Sequence, residues 1–149
     1  VVAAAEAVGL TIEPREFPAG TRTAADAAAA IGVELGQIVK SLCFAVDGAV
    51  VLALMSGSNQ LDESLLAVAA GGGAAWRVDA SVVREATGYP IGGVPPLGLA
   101  TDVPVFVDRD LLAFDVVWAA AGTPHVNFAV APHDLVRVTG GKVCDLARA

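Results

Sequence analysis

Apolar positions along this chain fall into short blocks cut by glycine, proline and acidic residues, and the period within each block assigns it an element. The alanine-rich start, 1–8, is helix-compatible, and Gly9 is placed to end it. Residues 10–17 alternate poorly and contain Pro14, which predicts an edge strand or an extended arm. Thr23 is positioned as the N-cap of a helix over 24–31, with Asp26 in its first turn and Gly32 as its stop. Residues 38–46 and 49–55 read as strands, and Asp47-Gly48 between them is a strong two-residue hairpin signal.

Further on, 56–59 is a polar loop and 61–70 a helix ended by Gly71-Gly72-Gly73. A short strand over 74–78 leads to a helix capped by Asp79 or Ser81 that runs to Thr87, with Gly88 after it. The stretch from Tyr89 to Gly98 holds Pro90, Pro95 and Pro96 among glycines, so it is no helix and a poor strand. Strands are predicted over 103–107, 114–120 and 126–131, the last two joined across Gly122-Thr123-Pro124-His125. A short helix over 132–136 and a final strand over 142–145 complete the series. Strands outnumber long helices and several neighbours are hairpins. The class is α+β, with a mixed, largely antiparallel sheet expected to curl toward a partial barrel.

Composition narrows the setting. With 149 residues, 55% of them hydrophobic and 17% charged, the chain has the material for one domain around one core, expected to span 1–149, and is not disordered. No apolar run approaches the ~18 residues of a membrane span. Residues 1–10 carry Glu6 and no basic segment, so no signal peptide is expected. Cys43 and Cys144 lie far apart without metal-type spacing, so neither a disulfide framework nor a metal site is expected. A soluble, cytoplasmic protein without membrane partners is the expectation.

Charge changes the picture more. Sixteen acidic residues against nine basic ones give −7, which argues against a broad basic face for DNA or RNA. Contact with a few nucleotides at one end of a nucleic acid stays open. Arginine supplies most of the cations, and only Lys40 and Lys142 are lysines.

Lys40 sits in a strand whose two faces are both apolar, so two readings stand. It is a strand-end lysine whose stem packs while its head reaches water, or a fixed cation facing a cleft, suited to a phosphate or a developing oxyanion. Gly92-Gly93-Val94-Pro95-Pro96 is an ordinary turn, or a stiffened loop that aims backbone N–H groups at an anion or carbonyl oxygen. It is not a dinucleotide fingerprint. Gly122-Thr123-Pro124-His125 is a plain hairpin connection, or a loop lining the same cleft with His125 as hydrogen-bond donor or proton shuttle. His133 reads as a solvated residue in a helix's first turn, and two histidines without a nearby Cys or Glu cluster make a poor metal site. Asp62-Glu63, Asp108 and Asp110 fall at caps and turns and read as capping and solubility groups. Ser56-Gly57-Ser58 is no nucleophile elbow, which leaves covalent catalysis by serine or cysteine weakly supported.

Three segments occur in an order that has a precedent. Thr23-Ala24-Ala25-Asp26-Ala27-Ala28, Ile31-Gly32-Val33 and Gln37-Ile38-Val39-Lys40-Ser41-Leu42 come first. Thr87-Gly88-Tyr89-Pro90-Ile91-Gly92-Gly93-Val94-Pro95-Pro96-Leu97-Gly98 follows, then Ala121-Gly122 and Ala131-Pro132-His133-Asp134-Leu135-Val136. Over roughly 20–140 the chain resembles the YbaK/prolyl-tRNA-synthetase-associated editing domain family.

That resemblance implies a pseudo-barrel of mixed sheet with flanking helices, and hydrolysis of the ester joining a wrong amino acid to its tRNA. It implies that Lys40 positions the 3′-terminal adenosine, through its phosphate. Gly92 and Pro96 would be the ends of the loop that holds the ester, with Gly93 beside them and Gly122 on the facing strand lining the pocket. His125 is a further substrate-binding candidate, from the reading of its loop. The implied chemistry uses no metal, cofactor or covalent intermediate: water attacks with help from the terminal ribose hydroxyl, and loop N–H groups hold the oxyanion. The expected partners are the acceptor end of a mischarged tRNA and an aminoacyl-tRNA synthetase. The substrate class is alanine, cysteine or another small amino acid, on tRNA for proline in known members. Pro95 and the pair Pro124-His125 depart from common family patterns, so the amino acid removed stays open. A free-standing trans-editing deacylase is the expectation; a non-catalytic tRNA- or synthetase-binding module on the same fold is the alternative.

Overall fold

Asp47 and Gly48 both adopt positive φ, 50° and 89°, the backbone that lets a two-residue turn follow the twist of the strands it joins. They connect β2 (Val39–Val46) to β3 (Ala49–Ser56), which pair antiparallel along their whole length from Val39↔Ser56 to Val46↔Ala49. The computed structural model describes residues 1–18 and 23–148, and this hairpin is its centre.

Other elements follow from local chemistry. Helix α1 (Val2–Ala7) leads to β1 (Arg15–Glu16). Helix α2 (Ala24–Ile31) is capped by Thr23, whose hydroxyl accepts the Asp26 N–H at 3.1 Å, and ends at left-handed Gly32. Helix α3 (Glu63–Ala69) is capped by Asp62 and packs near β4 (Ala75–Arg77). Helix α4 (Ala80–Thr87) is capped by Asp79 rather than Ser81, whose own hydroxyl donates to Asp79. Then come β5 (Val105–Asp108), β6 (Val117–Ala120), β7 (Val126–Val130), α5 (Pro132–Thr139) and β8 (Lys142–Cys144). Two short 3-10 helices, Leu35–Gln37 and Arg109–Ala113, were not foreseen. The second is capped by Asp108, which accepts the Asp110 N–H, and ends just before the strand expected over 114–120, which forms only from Val117.

The strands form two sheets, a mixed one in the order β4-β2-β3-β5-β8 and an antiparallel one in the order β1-β7-β6. Pairing is antiparallel around β2 but parallel between β3, β5 and β8. A single parallel bridge, Ile38↔Trp118, links the sheets, and no closed barrel is found among the described residues.

The central hairpin is covered on both faces, which is why its sequence lacks polar alternation. One face, with Val39, Leu52 and Leu54, meets Val117, Ala119, Phe128 and Val130 of the second sheet. The other, with Phe44, Val51, Ala53 and Met55, packs on Leu66 of α3 and on Leu146. Helix α2 lies over the outer side of the second sheet, where Ala27 and Ala28 meet Ile38 and Trp118.

Candidate functional site

The Gly57 N–H donates to the Ile38 carbonyl at 2.7 Å, which sets the parity of the β2–β3 ladder. Even-numbered residues of β2 then turn their backbone groups toward β3, and Val39, Ser41 and Cys43 turn theirs the other way. On that side β4 pairs only with Phe44 to Val46, and the bridge to Trp118 reaches only Ile38. Among the described residues, the middle of β2 therefore presents an open edge.

A cleft of about 320 Å³ opens against that edge. Thr23, Ala24 and Ala27 of the capped α2 terminus form one wall, and Ile38 to Leu42 form the floor. Ile91, Gly92 and Val94 close it from the proline-rich loop, and Ala120 and Asn127 come from the second sheet. The walls are small and apolar, and Lys40 is the single charged side chain among these lining residues.

Lys40 is half-buried, and its ammonium donates to the backbone carbonyl of Asn59. Burial lowers its pKa from the ordinary lysine value, and the charge of nearby Asp108 pulls in the opposite direction. Asp108 is 1% exposed and fully engaged. Its Oδ2 accepts the Ser56 N–H at 3.1 Å and the Asn59 Nδ2 at 2.9 Å, while its Oδ1 accepts the Asp110 N–H at 3.1 Å. Asn59 Nδ2 also donates to Asp110 at 2.8 Å. The Ser56 hydroxyl, equally buried, donates to the Gly36 carbonyl at 2.7 Å, which ties the 3-10 helix before β2 to the end of β3.

The two glycine loops meet. A Cβ on Gly93 would lie 2.9 Å from both the Gly122 carbonyl oxygen and the Thr123 Cα, so only glycine permits this approach. Gly122 itself has φ 107°, and a side chain there would press on the Tyr89 ring at 3.1 Å. The Gly93 N–H is given to the Pro90 carbonyl at 3.0 Å, so it is Gly92 whose backbone borders the cleft. Pro96 is buried, as is Leu97, and neither lines the cleft. His125 is exposed, in the turn before β7, and outside the lining. His133 is exposed on α5. Among the described residues no group of three or more His, Cys, Asp or Glu is arranged to hold a metal.

Several residues with chemistry were not singled out from sequence. Ser41 has a buried hydroxyl with no hydrogen-bond partner among the described residues, and it lines both the cleft and the hollow beside it. Cys43 lines that hollow, and burial pushes its thiol up to about 11, so at neutral pH it is protonated and a poor nucleophile. Arg15 lies opposite Asn127, with its guanidinium 5.5 Å from the centre of the Phe17 ring and 5.8 Å from that of Trp118. Asn59 and Asp108 carry no sequence signal beyond a polar loop and a turn, because the parallel pairing that buries Asp108 is not a local property.

This geometry has relatives. YwhH, an uncharacterized protein of Bacillus subtilis, is 33% identical over 128 residues, covering 86% of this chain and 82% of its own length. A proline–tRNA ligase of Maridesulfovibrio salexigens is 34% identical over 111 residues, which are 72% of this chain but only 19% of the ligase. A crystal structure described as that of a proposed trans-editing enzyme for prolyl-tRNA synthetase superposes with a TM-score of 0.92 at 44% identity, covering 99% of this chain and 94% of that one. The model of the aminoacyl-tRNA editing domain matches residues 18–138, a span that holds the lysine strand, both glycine loops and the cleft between them, and the chain therefore belongs to that family.

Proposed function

We propose that this chain is a trans-editing aminoacyl-tRNA deacylase whose active site is the cleft at Lys40. The observation that carries the reading is the cleft itself, in which, among the described residues, one ammonium is the sole charge between small apolar walls along an open strand edge. A phosphate of the terminal adenosine pairs with Lys40. The aminoacyl ester lies against Gly92, while Gly93 and Gly122 keep the two loops close enough to enclose it. Water adds to the ester carbonyl, the C–O bond to the ribose breaks, and the ribose oxygen leaves with a proton. The neighbouring ribose hydroxyl assists the water, and backbone N–H groups hold the oxyanion. Cys43 is no nucleophile in this scheme, Pro96 stiffens the loop from behind, and His125 contacts the substrate from the cleft's rim.

The family likeness and the similarity to a chain described as a trans-editing enzyme support the reaction class. Ala24, Ala27 and Ala120 support a small amino acid as the group removed. A hydrophobic site separates amino acids differing by one methylene by only about 10–200-fold, which is the reason for a second hydrolytic site. With a net charge of −7, the chain grips only the acceptor end, and a prolyl-tRNA synthetase supplies further affinity. In this reading residues 1–149 are one editing domain, its sheets form a pseudo-barrel around the first core cluster, and it works in the cytoplasm. None of the described helices is long and apolar enough to cross a membrane.

The test is deacylation of tRNAs mischarged with alanine, cysteine, serine and threonine, by wild type and Lys40→Ala. Hydrolysis that depends on Lys40 is the expected result. Silence across the panel from folded protein, or equal rates for the two proteins, overturns the reading; silence favours a binding module.

A further inference from the structure

We propose that Asp108 is a positioning residue for this site: through Asn59 it fixes the point at which Lys40 presents its ammonium to the cleft. The inference rests on the reading of Lys40 given above.

Lys40 enters the cleft from the second residue of β2, and a lysine head on a four-carbon stem has many places to go. What receives it is the backbone carbonyl of Asn59, a loop residue. A loop carbonyl is a dependable anchor only if the loop is held. The Asn59 amide does that by donating to Asp108 at 2.9 Å and to Asp110 at 2.8 Å. Asp108 is in turn held in place, being buried at the end of β5 with the Ser56 and Asp110 N–H groups on its oxygens. Three N–H donors converge on one carboxyl group, an arrangement that an acceptor-only carboxylate satisfies and an amide does not.

Asp108 also acts through its charge. Among the described residues, those lining the cleft with Lys40 from α2 and its cap, the loop of 91–94, β6 and β7 are Thr23, Ala24, Ala27, Ile91, Gly92, Val94, Ala120 and Asn127, none of them ionisable. On the carboxylate side stand Asp108 and Asp110, and the charge of Asp108 opposes the effect of burial on Lys40. Removing it leaves the desolvation uncompensated, so the ammonium gives up its proton at lower pH.

The experiment uses Asp108→Asn and, because a buried change can unfold the chain, Asn59→Ala, which keeps the anchoring carbonyl but removes the amide that holds it. Folding is checked by thermal melting. Lys40 titration is followed by NMR of protein with labelled lysine; there are only two lysines, so Lys142 is the internal reference. In Asp108→Asn the Lys40 midpoint is expected to move down. The kcat for a cognate mischarged tRNA should fall about 10–100-fold with little change in KM, the usual scale for a supporting residue. The alkaline limb of its pH–rate profile should move down with the Lys40 midpoint. Asn59→Ala should lower kcat in the same direction by a smaller factor. A folded Asp108→Asn protein with unmoved Lys40 midpoint and pH profile overturns the proposal, as does an Asn59→Ala protein at full rate. If Lys40→Ala retained activity, the reading of the cleft would fail, whereas the titration would still report on the Asp108–Lys40 coupling.

Discussion

The two halves of β2 share one backbone and one partner, β3, yet do different work. From Phe44 to Val46 the strand is hydrogen-bonded on both sides and its side chains are buried. At Lys40 and Ser41 the same strand has β3 on one side and the cleft on the other, and both side chains are polar and partly buried. The difference teaches where this fold keeps its chemistry. Satisfied ladder positions serve stability, and the proposed site occupies the stretch where, among the described residues, the second ladder stops. An open edge inside a protein is a liability unless it is covered or used, and here a loop and a helix terminus fold over it to leave a cleft.

The comparison breaks most severely at its paired end. Phe44 is 3% exposed and carries the Arg77 guanidinium over its ring, so Phe44→Ala should cost about 3–5 kcal/mol in chemical denaturation. The fraction that remains folded should deacylate at the wild-type rate. At the open end the effects reverse. Lys40→Ala should cost at least about 100-fold in kcat/KM, on the scale of losing one oriented electrostatic contact. Its melting temperature should hold or rise, because burial disfavours the ammonium in the folded state.

The sign of the pH response follows from the same fact. A lowered lysine pKa means the charged form is lost as pH rises through that lowered value. Lys40-dependent deacylation should therefore fade at a pH below that of an ordinary lysine, measured against the spontaneous hydrolysis of the ester.

Gly93→Ala sharpens the role of the loops. Its Cβ would meet the backbone of Gly122 and Thr123, not a flexible side chain, so one loop must move. A destabilisation of about 1–3 kcal/mol and a drop in rate of about tenfold are expected, with kcat affected more than tRNA affinity. The smallest effect should come from Cys43→Ala. Burial pushes its thiol up to about 11, so the proposed mechanism gives Cys43 no part, and rates within about twofold of wild type are expected at pH 7. A large loss there would point to covalent catalysis and against the water mechanism.

Much of this arrangement was legible before any coordinates. Thr23 caps its helix, and Gly32 and Gly88 end theirs in the left-handed conformation, because caps are written by residues a few positions apart; α5 instead runs past the helix expected over 132–136 and ends at Gly140. Asp47-Gly48 makes the hairpin for the same reason. Lys40 stood out as a rare lysine in an apolar strand, and both glycine loops stood out by composition. What composition did not show was the task of each glycine. Gly92 borders the cleft, whereas Gly93 spends its N–H on Pro90 and serves by having no side chain.

Asp108 marks the boundary between the two kinds of information. Its sequence context reads as a turn, and it does cap a 3-10 helix. Its burial and its hold on Asn59 arise from the parallel pairing of β5 with β3 and β8, segments separated by tens of residues. The sequence by itself determined the local elements, the hairpin and the rare cation in its apolar strand, since each depends on neighbours along the chain. The tertiary structure alone decided which strand edge stays open, which loops touch, and which carboxylate stands behind the lysine. Those contacts join distant segments, and their register is set by how whole faces pack.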